Sequence, residues 1–115
     1  MDDCLFCNII KGKIPSKKVY EDDYVYAFWD ISPTAPVHIL VIPKEHISTL
    51  NDINEENSQV ISKIYESIAK IAKEQKIDKD GYRVVSNCNK YAGQTVFHIH
   101  FHLIGGRELQ WPAGW

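Results

Sequence analysis

The chain has 115 residues, 24% of them charged, with a formal net charge of −2. That length fits one domain, and the near-neutral charge gives no electrostatic reason to expect a nucleic-acid or membrane partner. Three cysteines, an odd count, argue against a disulfide framework.

In chain order, MDDCLFCNII starts acidic, unlike the basic start of a secretory signal, and so predicts a cytoplasmic protein. CLFCNIIKGK reads as a short helical turn ending near Gly12, and Pro15 then forces an extended entry. KKVYE is a short strand, EDD at 21–23 a turn, and YVYAFWDI, rich in aromatic and β-branched residues, a second strand. SPTAP is a proline-punctuated loop before VHILVIP, a third strand whose continuous apolar character predicts burial. Asn54 followed by Glu55 and Glu56 reads as a helix start. Val60, Ile61, Ile64, Ile68, Ile71 and Ala72 then recur at helical spacing, so one helix face packs on a flat apolar surface, and Lys70, Lys73 and Lys76 favour its C-terminal end. YRVVSN is a fourth strand and VFHIHFHLIG a fifth, joined by CNKYAGQT. Short joins predict an α+β fold: a five-stranded antiparallel sheet, one long helix covering it and one short helix.

The fifth strand poses the functional question. Side chains alternate along a strand, so His98, His100 and His102 share one face while Ile99, Phe101 and Leu103 face the core. The histidine face is expected to be polar and accessible, since three buried imidazoles would each need a partner. A two-residue step of about 6.7 Å lets neighbours in the row share one small ligand. The row is open to three readings: a solvated face, a metal-chelating row, or a phosphate-handling site in which one histidine attacks phosphorus. AGQT just upstream, a small-residue turn with an amide and a hydroxyl, favours the third, because such loops supply donors to phosphate oxygens.

HIHFHLI, from His98 to Ile104, resembles the signature of the histidine-triad (HIT) family. FCNIIKGKIPS, VYEDDYVYAFWDISPTAPVHILVIPKEHIS, DGYRVVSN and GQTVFHIHFHLIGGR followed by WPAG are similar, in family order, to the Hint branch, the purine nucleoside phosphoramidases. The resemblance implies one HIT domain over 1–115. It also implies hydrolysis of the P–N bond of nucleoside 5′-phosphoramidates through a nucleotidyl-histidine intermediate. His100 would be the nucleophile, with its other ring nitrogen held by a main-chain carbonyl. His102 would contact the phosphate and leaving group, and His38 would be a further active-site histidine, where its local context alone reads as a satisfied core residue. Gln94 and Thr95 stand at a Gln-Ser pair that binds phosphate and leaving group, with threonine replacing serine, and Asn87 stands at a phosphate-side asparagine. Asp30 would accept the ribose hydroxyls beside Ile31, with Phe6, Ile10, Phe28 and Ile31 forming the purine slot. Trp29 stands where some Hint relatives carry histidine.

Cys4 and Cys7 depart from several Hint relatives, but other branches complete a structural zinc site with such a pair. His46 and His98 stand at the two histidines of that set. No βαβ pattern surrounds the pair, which weighs against thioredoxin-like chemistry, and Cys88 reads as a loop bystander. No organic cofactor is implied. The resemblance further implies a homodimer whose C-terminal tail, residues 106–115, carries Trp111 to the partner's site; the tail could instead fold back on its own body. Three alternatives stay open: a dinucleoside polyphosphate or nucleotidyl hydrolase, a non-catalytic purine nucleotide scaffold, and a zinc hydrolase using the histidine row as ligands.

Overall fold

A computed structural model describes residues 3–114. Helix α1 spans Leu5–Ile10, β1 Lys18–Glu21, β2 Val25–Trp29 and β3 Val37–Pro43. Helix α2 spans Gln59–Glu74, β4 Tyr82–Val85 and β5 Phe101–Gly105. The strands form one antiparallel sheet in the order β1-β2-β3-β5-β4, so the α+β architecture expected from the sequence is the one formed. No helix among the described residues is long and apolar enough to cross a membrane.

Strand alternation sorts the sheet into two faces. Val25, Ala27, Ile39, Val41, Ile99, Phe101 and Leu103 lie against Ile64, Ile68, Ile71 and Ala72 of α2, the helix stripe legible from its 3.6-residue spacing. Tyr26, Phe28, Leu40 and Ile42 point the other way and are covered by Phe6 and Ile9 of α1. A buried side chain of this size contributes about 1.5–3 kcal/mol, so the α2 face carries most of the stability, while the thinner α1 layer leaves room for polar groups.

Two boundaries differ from expectation. Helix α2 starts at Gln59, not Asn54. The Asn54 carboxamide does cap, accepting from the N–H groups of Glu56 and Asn57 at 2.8 and 3.2 Å, but it caps a preceding turn. The fifth strand begins at Phe101 rather than Val96. The last β3 residue paired with it is Val41, opposite Phe101, and on its other edge β4 ends at Val85 opposite His102, so residues 98–100 precede the ladders on both sides. They are held instead by single bonds: Ile99 N–H to the Ile47 carbonyl at 2.7 Å and the Ser86 hydroxyl to the His100 carbonyl at 2.9 Å. The face alternation survives this break.

The chain leaves β5 through Gly105 and Gly106. Gly106 has φ +89°, and a Cβ there would lie 3.0 Å from Pro36, so both the turn and the close approach require glycine. Beyond it Arg83 donates to the Gln110 carbonyl at 3.0 Å, with its guanidinium 5.5 Å from the Trp111 ring. Trp111 remains 83% exposed. Within one chain the tail thus rests on β4; Trp115, its last residue, lies outside the described residues.

Candidate active site

The histidine row does lie on one face, but that face is covered rather than open. His98 is fully buried and His100 nearly so, with His102 partly buried. The cover is α1: the Phe6 ring meets His98, His100 and Phe28 edge-on, with centroids 5.9, 5.1 and 5.6 Å away. Three buried imidazoles need partners, and each has one.

His100 donates its Nδ1–H to the His98 carbonyl at 2.8 Å, since a carbonyl can only accept. A neutral ring so held carries its lone pair on Nε2. Burial pushes its pKa below the usual histidine value, against the favourable pull of the His98 carbonyl and Asp30. His38 accepts the Thr34 N–H on Nδ1 at 3.1 Å, with the Thr34 hydroxyl 3.4 Å from the same atom. Its proton therefore sits on Nε2, 2.9 Å from His102 Nδ1 and 3.4 Å from an Asp30 carboxylate oxygen. His102 accepts on Nδ1 and carries its own proton on Nε2. Burial, helped by the neighbouring His100 and His38, lowers the pKa of His102 to about 4, and burial lowers that of His38 despite Asp30. At neutral pH the three rings are uncharged and each has an assigned tautomer.

Asp30 fixes the other end of this group. One carboxylate oxygen accepts the Ser32 N–H at 2.7 Å while the other reaches His38. Asp30 also borders a cleft of about 710 Å³ walled by Ile9, Phe28, Trp29, Ile31 and Pro33. Phe28 and Ile31, both expected in an apolar slot, wall this cleft, Ile31 as a 97% exposed rim. Ile9, not Ile10, is the α1 residue that lines it, and Phe6 packs beneath, against the histidines. Trp29 is a cleft wall as well.

The remaining expected residues do not wall that cleft. Gln94 is buried and its carboxamide is fully engaged: it donates to the Ser48 and Val96 carbonyls at 2.8 and 3.0 Å and accepts the Asn89 N–H at 2.8 Å. It holds the loop that delivers the histidine row. Thr95 is exposed beside a separate groove with Cys4, His46 and Phe97. Asn87 is partly buried, one residue past Ser86. Trp111 sits over Arg83.

A second cluster gathers around His98. Cys4 Sγ and Cys7 Sγ lie 3.5 and 3.6 Å from His98 Nδ1, and Cys7 Sγ lies 3.3 Å from His46 Nδ1. All four donor atoms fall within 4.8 Å of one another. Bonds of about 2.3 Å to sulfur and about 2.05 Å to nitrogen put adjacent donors of a tetrahedral zinc about 3.5 Å apart, so the donor set fits that ion. The second nitrogens are also held: His98 Nε2–H donates to the Pro43 carbonyl at 2.8 Å and His46 Nε2 lies 3.3 Å from the Ser48 hydroxyl. Cys4 caps α1, its sulfur accepting the Cys7 N–H at 3.4 Å, which brings both thiols to one side. Thr34, Ser86 and the Pro43 carbonyl were not foreseen from the sequence. Thr34 and Ser86 are common loop residues with no local signal, and a main-chain carbonyl has none.

A family model described as HIT domain matches residues 11–109. The chain is 49% identical over 108 residues to the purine nucleoside phosphoramidase of Escherichia coli K12, covering 94% of this chain and 91% of that one. A HIT family hydrolase from Legionella pneumophila superposes with a TM-score of 0.95 at 47% identity, covering 97% of this chain and all of the other. A histidine triad protein from Clostridium difficile gives 0.93 at 49%, with 96% of each covered. With the row of histidines, the sheet that presents it and these likenesses together, the chain belongs to the histidine-triad (HIT) family.

Proposed function

We propose that the protein hydrolyses the P–N bond of nucleoside 5′-phosphoramidates, with His100 as nucleophile. The observation that carries this is the 2.8 Å bond from His100 Nδ1 to the His98 carbonyl, which leaves Nε2 with a lone pair in a largely dry setting. The likeness to relatives named as hydrolases, one a purine nucleoside phosphoramidase, supports the reaction class. His100 Nε2 bonds to phosphorus as the P–N bond breaks and its electron pair stays on nitrogen. His102 hands that nitrogen its Nε2 proton as solvent supplies one to the same ring, so no imidazolate is left and the amine departs neutral. Water then attacks phosphorus, the His100–P bond breaks with its electron pair returning to Nε2, and the proton released by water goes to solvent. The products are a nucleoside monophosphate and an amine. The purine lies in the cleft between Phe28 and Ile31, and Asp30 takes the ribose hydroxyls.

Cys4, Cys7, His46 and His98 hold a zinc ion in this reading. Four protein donors leave no open position, so the ion's contribution is structural: it ties α1 to the residues that start the histidine row. The protein acts as a homodimer, with Trp111 of the tail reaching the partner's cleft.

The test is release of AMP from adenosine 5′-phosphoramidate by the wild type and by His100→Ala. Turnover by the wild type, with near-total loss in a folded His100→Ala, is the expected result. Equal turnover by the two proteins would overturn the assignment. No turnover by wild type that still binds AMP would point to a different nucleotidyl substrate or to binding without chemistry.

A further inference from the structure

We propose that Arg107 is a positioning residue that acts on the site from the protein surface: by clamping the Thr34 peptide it holds the proton of His38, and through it that of His102, on Nε2. The inference rests on the phosphoramidase reading for its consequence, though not for its geometry.

The chain of contacts is continuous. Arg107 Nε and Nη2 both donate to the Thr34 carbonyl, at 3.3 and 3.1 Å, and Nη1 donates to the Glu108 carbonyl at 3.1 Å. The planar fork thereby fixes the orientation of one peptide group. On the other side of that residue, the Thr34 N–H donates to His38 Nδ1 at 3.1 Å. His38 Nε2–H in turn donates to His102 Nδ1 at 2.9 Å.

A clamp is needed at this place. Thr34 is exposed and lies in a loop with Pro33 and Pro36, which have no N–H to donate. Water competes for both its N–H and its carbonyl, which belong to the two successive peptide groups that this residue joins. If Thr34 turns away, the Asp30 carboxylate at 3.4 Å still favours a proton on Nε2, but nothing on the Thr34 side then opposes one on Nδ1. Two lone pairs would then face each other across the 2.9 Å gap to His102, unless the His102 proton moved from Nε2 to Nδ1. The first result pushes the two rings apart and misplaces the donor that the departing nitrogen needs, and the second removes it from Nε2. Gly106 makes the reach possible, since its φ of +89° and its approach to Pro36 bring the next residue over the loop.

The experiment combines kinetics on adenosine 5′-phosphoramidate with ¹⁵N shifts of the histidine side chains in the free protein, for wild type, Arg107→Gln and Arg107→Lys. In the wild type His38 shows an unprotonated Nδ1 and a protonated Nε2. In Arg107→Gln the two shifts move toward averaged values, kcat falls about tenfold and KM changes less than about twofold, because a misplaced donor slows the step without weakening nucleotide contacts. Arg107→Lys keeps the charge but not the fork, and leaves both defects largely uncorrected. Full rescue by lysine would mean that charge alone matters and would overturn the proposal. Unchanged His38 shifts in Arg107→Gln would also overturn it, whatever happens to kcat. If the wild type has no activity on this substrate, the phosphoramidase reading fails, while the nitrogen shifts still decide the role of Arg107.

Discussion

His98 and His100 sit two residues apart on the same face, and the fold makes opposite use of them. His98 gives its Nε2–H to the Pro43 carbonyl and turns Nδ1 toward two sulfurs. His100 gives its Nδ1–H to the His98 carbonyl and leaves a lone pair on Nε2. In the proposed reading one imidazole is a ligand and the other a nucleophile, because a different main-chain carbonyl takes the proton. Phe6 packs against both rings, each steeply inclined to it. The residue type supplies the range of roles, and the carbonyl that each ring meets selects one.

That comparison breaks most sharply at the nucleophile. His100→Ala is expected to lower turnover by at least about 10³-fold with little change in melting temperature, read by AMP release and thermal unfolding. The reverse pattern is expected on the other side. Cys7→Ser takes bound zinc from about one equivalent to below about a tenth and lowers the melting temperature by several degrees, while activity at a permissive temperature stays within a few-fold. If zinc loss abolished turnover and left stability unchanged, the two roles would be exchanged.

The next effect is on pH. The pKa of His102 is about 4 in the folded protein against 6.5 for an ordinary histidine. Between those values the unfolded chain binds a proton that the folded one refuses, so stability falls as pH drops through that window. His102→Gln should therefore lose less melting temperature than the wild type between pH 7 and pH 5, with the other low-pKa histidines supplying the rest. An equal loss in both proteins would mean that His102 is not held neutral. The smallest effect belongs to Ser86→Ala, which deletes the hydroxyl's bond to the His100 carbonyl. A cost of about 1 kcal/mol in chemical denaturation and a few-fold fall in kcat are expected.

Much of this was legible in the chain. The period-2 alternation placed Ile99, Phe101 and Leu103 under the helix, and the 3.6-residue stripe from Val60 to Ala72 named the surface that covers them. The likeness of HIHFHLI to a known signature brought His38, Asp30 and the Cys4, Cys7, His46 and His98 set into consideration, and the fold brings each group together. The accessible histidine face was not borne out: α1 covers it, since six residues with Phe6 and Ile9 on one side suffice to close a layer that the strand pattern alone leaves open. The late start of the fifth strand was equally hidden, because it depends on where pairing with the two neighbouring strands stops, at Val41 and Val85.

The sequence by itself determined which faces are apolar, how many strands and helices form, and which residue types could carry the chemistry, because periodicity and composition act locally along the chain. Only the tertiary structure decided the protonation geometry. Each histidine's unprotonated nitrogen is set by a carbonyl or N–H from a residue brought in by strand register or loop path: Pro43 for His98 and Thr34, whose carbonyl Arg107 holds, for His38. A backbone group has no signature of its own in a sequence, so its effect on a side chain becomes visible only when the chain has folded.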